Sequence, residues 1–160
     1  MTGRIRRLLA LWGPVLGWML VIFAVSAVPD VPGEPGLPRA RSERVDTAMR
    51  EIAHLGEYAI LTALVWRASQ DRWPTAHCAA IAGGWSLVYA LGDELHQSFV
   101  PGRTCSTRDW LIDLCGATLA VLALVAREAW NRRRPKPCEL ELANRIHPSD
   151  APCQFKQQGL

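Results

Sequence analysis

One stretch near the start of the chain limits the folds open to it. Leu8 to Val28 is 21 residues long and carries no charge. At about 1.5 Å per residue, a helix of this length spans roughly 31 Å, the thickness of a hydrocarbon core. Trp12 and Trp18 suit an interfacial belt, and Pro14 is tolerated in a membrane span although it would kink a soluble helix. Arg4, Arg6 and Arg7 precede the run. A signal peptide is the competing reading, with Val25-Ser26-Ala27 as its cleavage site. A signal core is usually only about 7–15 residues, so the run is read as an anchor.

Three further apolar runs follow, Ile52–Ala68, Thr75–Leu91 and Leu111–Ala126. Each falls a little short of the usual ~20 residues and must extend into polar flanks to cross. A soluble four-helix bundle shows polar stripes at helical spacing. Trp85 to Leu91 and Ala117 to Ala126 show almost none. The expected architecture is therefore all-α, a polytopic membrane protein built as a bundle of four transmembrane helices. The averages conceal this. A chain of 160 residues with 49% hydrophobic and 21% charged residues, net charge +3 and mean hydropathy +0.04 looks like one soluble domain. Eleven of its 33 charges lie between Arg127 and Lys156, however, and the remainder of the chain is much oilier than the mean. No nucleic-acid partner is expected from so modest a charge.

The Lys and Arg count sets the expected orientation. With the N-terminus inside, ten basic residues among the first 136 fall on the inner side and six on the outer. Both termini are thus expected in the cytoplasm of a multi-pass protein of the cell membrane. The expected division is residues 1–7 as a cytoplasmic N-terminus, 8–126 as the membrane domain and 127–160 as a cytoplasmic, largely disordered tail rich in Pro. Pro29, Pro32, Pro35 and Pro38 recur every three residues, which fits either an extended polyproline strap or a plain hydrophilic linker. The cysteines, Cys78, Cys105, Cys115, Cys138 and Cys153, form no zinc spacing, and no motif calls for a cofactor or metal.

The candidate site consists of the charges that the spans carry despite their cost. Helix two begins with His54, Glu57 and Tyr58, helix three ends in Asp93, Glu94, His96 and Gln97, and helix four begins with Asp109 and Asp113. With alternating helix direction these three places fall on one side of the membrane, whichever way the chain inserts. In the orientation above, that side is extracytoplasmic. Spacings of three and four put His54, Glu57 and Tyr58 on one face, pair Asp93 with Gln97, and align Asp109, Asp113 and Gly116. Gly116 and Ala120 form a small-xxx-small pair. Ionisable groups in spans usually face a bundle interior or a wet cavity and mark function. Val100-Pro101-Gly102-Arg103 reads as a type II turn that folds Arg103 back towards the carboxylates, where a guanidinium binds two oxygens at once. Separately, each residue has a plainer reading: His54 as an interfacial histidine, Asp93 and Glu94 as a helix end in water, Asp109 as an N-cap with Thr107 as its rival.

These residues also carry a family resemblance. Ser26-Ala-Val-Pro29, His54-Leu-Gly-Glu57-Tyr58-Ala-Ile-Leu61 and Asp93-Glu94-Leu-His96-Gln97-Ser-Phe-Val-Pro101-Gly102-Arg103, followed by Ser106, Asp109, Asp113 and Gly116, resemble the VanZ-like family. These are small membrane proteins related to a teicoplanin-resistance protein. The resemblance covers roughly residues 8–126. It departs from the family pattern at Glu51, where Lys is usual, at Asp113, where Asn is usual, and at Ala120, where Gly is frequent. It implies a polytopic membrane protein with a link to glycopeptide tolerance and supplies no mechanism.

Three kinds of function fit, beside a divalent-cation site of His, Asp and Glu that no ligand spacing singles out and with which Arg103 would compete. The first is binding or processing an envelope lipid, lipid-linked or glycopeptide ligand at the outer leaflet. Arg103 would engage an anionic group, His54, Asp93 and Glu94 would polarise it, and Tyr58 and Gln97 would orient it. No Ser or Cys nucleophile stands in a known context, so no reaction is assigned. The second is a small proton-coupled transporter with the carboxylates and His54 as a relay. The third is a non-catalytic scaffold whose buried polar pairs fix helix register.

Overall fold

The computed structural model describes residues 2–29, 39–103 and 107–134. It contains four helices, α1 (Thr2–Ser26), α2 (Arg39–Ser69), α3 (Thr75–Gln97) and α4 (Thr107–Arg133), and no strand among the described residues. Every helix is longer than its apolar run. α2 starts 13 residues before Ile52, because no Pro or Gly interrupts the chain from Arg39 to Leu55. α4 likewise continues past Ala126 to Arg133, so the first residues of the expected tail are helical. Pro32, Pro35, Pro38, Cys105, Ser106, Cys138, Cys153 and the tail from Pro135 lie outside the described residues.

The chain divides into two units, Met1–Arg127 and Glu128–Leu160. Within the second, Arg132 pairs with Glu128 at 3.8 Å and the Arg134 guanidinium lies 5.5 Å from the Trp130 ring centroid.

In the first unit the helices alternate in direction. α2 and α3 are joined by five residues, Gln70–Pro74, and so short a link forces antiparallel neighbours. At that end Arg7 of α1 reaches Asp71 at 2.8 Å. At the opposite end Ser26 of α1 meets Asp93 of α3, and His54 of α2 meets Asp113 of α4. The core between the ends is made by Val15 and Ile22 of α1, Tyr58, Leu61 and Val65 of α2, and Cys78, Ala82 and Ala90 of α3.

Two details explain how α1 is held. Pro14 has no N–H, so the carbonyl of Ala10, four residues earlier, loses its helical partner. Arg67 of α2 donates to that oxygen at 3.1 Å. Trp18 donates its indole N–H to the Glu57 carbonyl at 2.9 Å. An indole N–H turned into a bundle needs an acceptor, and a neighbouring helix backbone supplies one.

α1 and α4 contain stretches long and apolar enough to cross a membrane, Gly3–Ser26 and Thr107–Arg133, and neither is buried inside the protein. Leu9, Leu16 and Leu20 of α1, Val88 and Leu95 of α3, and Leu119 and Leu122 of α4 are all exposed. Large apolar side chains thus stand in the open on α1, α3 and α4. α2 and α3 do not reach the same apolarity. His54, Glu57 and Arg67 interrupt α2, and His77, Gly83, Gly84 and Ser86 dilute α3.

Candidate functional site

The polar residues at the α1 C-terminal end form two connected groups. The first joins α1 to α3. The Asp93 carboxylate accepts through Oδ2 from the Ser26 hydroxyl at 2.9 Å and from the Gln97 amide at 2.9 Å, and that amide also lies 3.2 Å from Ser26 Oγ. All three residues are buried. Asp93 and Gln97 meet because they are one turn apart on α3. Ser26 comes from the last residue of α1, placed there by the antiparallel return of the chain.

The second group joins α2 to α4. His54 Nδ1 lies 3.0 Å from Asp113 Oδ1, and Asp113 is fully buried. With an ionised Asp113 the ring donates from Nδ1, which leaves Nε2 available. The close approach of the two helices has a specific cause. A Cβ at position 116 would collide with the Leu55 carbonyl oxygen, and would lie 3.1 Å from Leu55 Cα. Only glycine allows α4 to rest on the α2 backbone there. Asp113 stands one turn before Gly116, and His54 precedes Leu55. The glycine contact therefore sets the His–Asp distance.

Tyr58 lies one turn along α2 from His54 and is fully buried. Its hydroxyl has no hydrogen-bond partner among the described residues, and neither has Asp113 Oδ2. Buried polar atoms left in this state are rare and call for a physical explanation. Glu94 is buried and Glu57 half-buried at the same end. Below Tyr58, Thr62 donates to the Tyr58 carbonyl at 2.7 Å and lies 2.8 Å from Ser86 Oγ. Neither hydroxyl titrates near neutral pH, so this pair does not extend a charged relay into the bundle.

The Val100–Arg103 turn forms, with Gly102 at φ 79° and Arg103 N–H donating to the Val100 carbonyl at 3.1 Å. Arg103 acts on the Glu57 carboxylate through its charge, while among the described residues its hydrogen bonds go elsewhere. It donates to the carbonyls of Val28 at 3.1 Å and Val25 at 3.4 Å. Val28 lies just past the end of α1, and the Val25 carbonyl, which also accepts from the Val28 N–H at 3.2 Å, belongs to its last turn, where the negative end of the helix dipole attracts a guanidinium. Asp109 is not an N-cap. α4 begins at Thr107 and Asp109 sits in its first turn, where its charge favours the helix N-terminus. Glu51 pairs with Arg108 of the same turn, so the acidic residue at 51 has a basic partner on α4.

Residues that sequence reasoning did not assign to the site also contribute. Ser26 bonds to Asp93, Trp18 to the Glu57 carbonyl, and Thr62 to Ser86. His96 stacks on Phe23 of α1, with ring centroids 4.3 Å apart. Among the described residues, no three His, Cys, Asp or Glu side chains converge to hold a metal ion.

Comparison with known proteins adds one match. The family model described as VanZ/LLP1 matches residues 11–128, which includes every residue of both polar groups. No curated protein and no solved structure matches the chain.

Proposed function

Because this chain belongs to the VanZ/LLP1 family, we propose that it is a four-span membrane protein that binds an envelope lipid, a lipid-linked molecule or a glycopeptide at its extracytoplasmic face. In this reading α2 and α3 cross the bilayer beside α1 and α4, and both termini lie in the cytoplasm. The alternating helix directions and the excess of Arg at the α1 N-terminal end support the topology. Reporter fusions after Arg44, Arg72 and Arg103 test it. An extracytoplasmic signal at Arg72 would reverse the orientation and move the site to the cytoplasm.

The observation that carries the ligand reading is the pair of buried, unpartnered polar atoms, Tyr58 Oη and Asp113 Oδ2, beside the His54–Asp113 pair. An incoming ligand with a hydroxyl, amide or phosphate satisfies such atoms, and the apolar flanks of the bundle suit an amphiphile. The test substitutes Tyr58→Phe, His54→Gln and Asp113→Asn singly in a bacterial host scored for glycopeptide tolerance and for lipid composition. Loss of the phenotype in variants that express and melt normally supports the reading. Full retention in all three sinks it.

A scaffold role is the second reading, favoured by the Ser26–Asp93–Gln97 group. There the hydrogen bonds are made within the protein and tie α1 to α3. Such a network fixes register without contacting a ligand. On this account Ser26→Ala and Gln97→Leu lower the melting temperature, and any loss of phenotype follows the loss of folded protein.

A further inference from the structure

The end of the bundle remote from the candidate site contains a cavity of about 490 Å³. α1 supplies Arg4, Arg7 and Trp12 to its wall, and the α2–α3 link supplies Asp71, Arg72 and Trp73. Leu8, Leu11 and Ile81 form its apolar side, and the buried Ser69 lies at its α2 edge. Three guanidinium groups face one carboxylate. Arg7 is committed to Asp71 at 2.8 Å. Among the described residues, neither Arg4 nor Arg72 has an ion pair. The cavity thus presents two uncommitted cations above an apolar wall, bordered by tryptophans.

We propose that this cavity binds the headgroup phosphate of an anionic phospholipid. The charge selects the ligand's sign, because Arg4 and Arg72 offer planar forks suited to phosphate oxygens. The apolar wall selects an amphiphile over a free ion. Leu8, Leu11 and Ile81 give a glycerol backbone and the first methylenes a surface away from water. The tryptophans are at home at headgroup depth. The site is distinct from the His54–Asp113 group and does not depend on which face of the membrane it occupies.

The test uses the full chain purified in neutral detergent. Thermal unfolding is followed during titration with dioctanoyl-phosphatidylglycerol, dioctanoyl-phosphatidylcholine or inorganic phosphate. The phosphatidylglycerol is expected to raise the melting temperature saturably, and the other two to leave it unchanged at the same concentrations. Arg4→Gln/Arg72→Gln is expected to raise the half-saturating concentration by roughly tenfold or more, the loss of two charge-assisted contacts. Arg6→Gln/Arg127→Gln removes the same charge outside the cavity and is expected to leave it within about twofold. All four arginines are exposed, so both double variants keep the fold. An equal response to phosphatidylcholine overturns the proposal, as does reproduction of the shift by inorganic phosphate alone. Equal weakening in the two double variants overturns it as well, because binding would then follow net charge and not this cavity.

Discussion

His54 and Asp113 are 59 positions apart in the chain, yet Nδ1 and Oδ1 stand 3.0 Å from each other in a buried setting. Replacing Asp113 with Ala leaves the imidazole without its acceptor and is expected to cost about 1–3 kcal/mol. Asp113→Asn keeps an oxygen within reach of Nδ1 and is expected to cost distinctly less. Thermal unfolding of the two detergent-solubilised variants checks the order. Equal melting temperatures would remove the pair from the account of stability.

Gly116 carries the approach that makes this pair. Gly116→Ala puts a methyl group into the Leu55 carbonyl, and is expected to cost about 1–3 kcal/mol as α4 shifts away from α2. Gly84→Ala provides the contrast. Its Cβ meets nothing within 4 Å, so the better helix propensity of Ala should leave stability unchanged or raise it by up to about 1 kcal/mol. The two melting curves, recorded side by side, separate close packing from a general intolerance of larger residues.

Arg67 and Pro14 should be energetically coupled. Arg67→Ala leaves the Ala10 carbonyl without the donor that replaces the missing proline N–H, at an expected cost of about 1–2 kcal/mol. In a Pro14→Ala background the helix satisfies that carbonyl itself, and the same substitution is expected to cost less. A double-mutant cycle measures the difference. Strict additivity would show that the guanidinium serves some other contact.

Ser26 and Gln97 both donate to Asp93 Oδ2. Ser26→Ala is expected to cost about 1 kcal/mol and Gln97→Leu about 1–3 kcal/mol, since the latter also strips a buried carboxylate of its amide partner. Their combination should depart from the sum, because the two share one acceptor. Unfolding of both single variants and the double variant provides the test.

Arg103 is expected to act on the end of α1. Arg103→Gln removes the charge from the Val25 and Val28 carbonyls and should cost about 0.3–1 kcal/mol, while Arg103→Lys, which keeps the charge but not the fork, should recover part of it. Amide hydrogen exchange at Ala27 and Val28 is the local readout. Unchanged exchange in Arg103→Gln would show that the guanidinium does not hold that helix end.

Local patterns were legible before any fold was known. The α3 spacing that brings Asp93 to Gln97 is one turn of helix, and Pro101-Gly102 specifies a turn because only the second position needs a positive φ. The stripe from Asp113 to Gly116 was visible, as was the concentration of charge at alternating ends of the apolar runs. These features depend on neighbours within a few residues, so periodicity reveals them.

The destinations of the longer side chains were not legible. The hydrogen bonds of Arg103 go to the Val28 and Val25 carbonyls, while its charge still reaches the Glu57 carboxylate. The Trp18 indole donates to the Glu57 carbonyl, a partner 39 positions away in the chain. Backbone oxygens are the same in every residue, and which of them lacks a partner depends on where helices stop, where proline stands and which helix lies alongside. The sequence by itself determined an all-helical chain, with α1 and α4 long and apolar enough to cross a membrane, and the end at which polar groups collect. The tertiary structure alone decided which polar groups bond to one another and which remain unpartnered, because that depends on how closely helices pack. At Gly116 that closeness rests on the absence of a single Cβ atom.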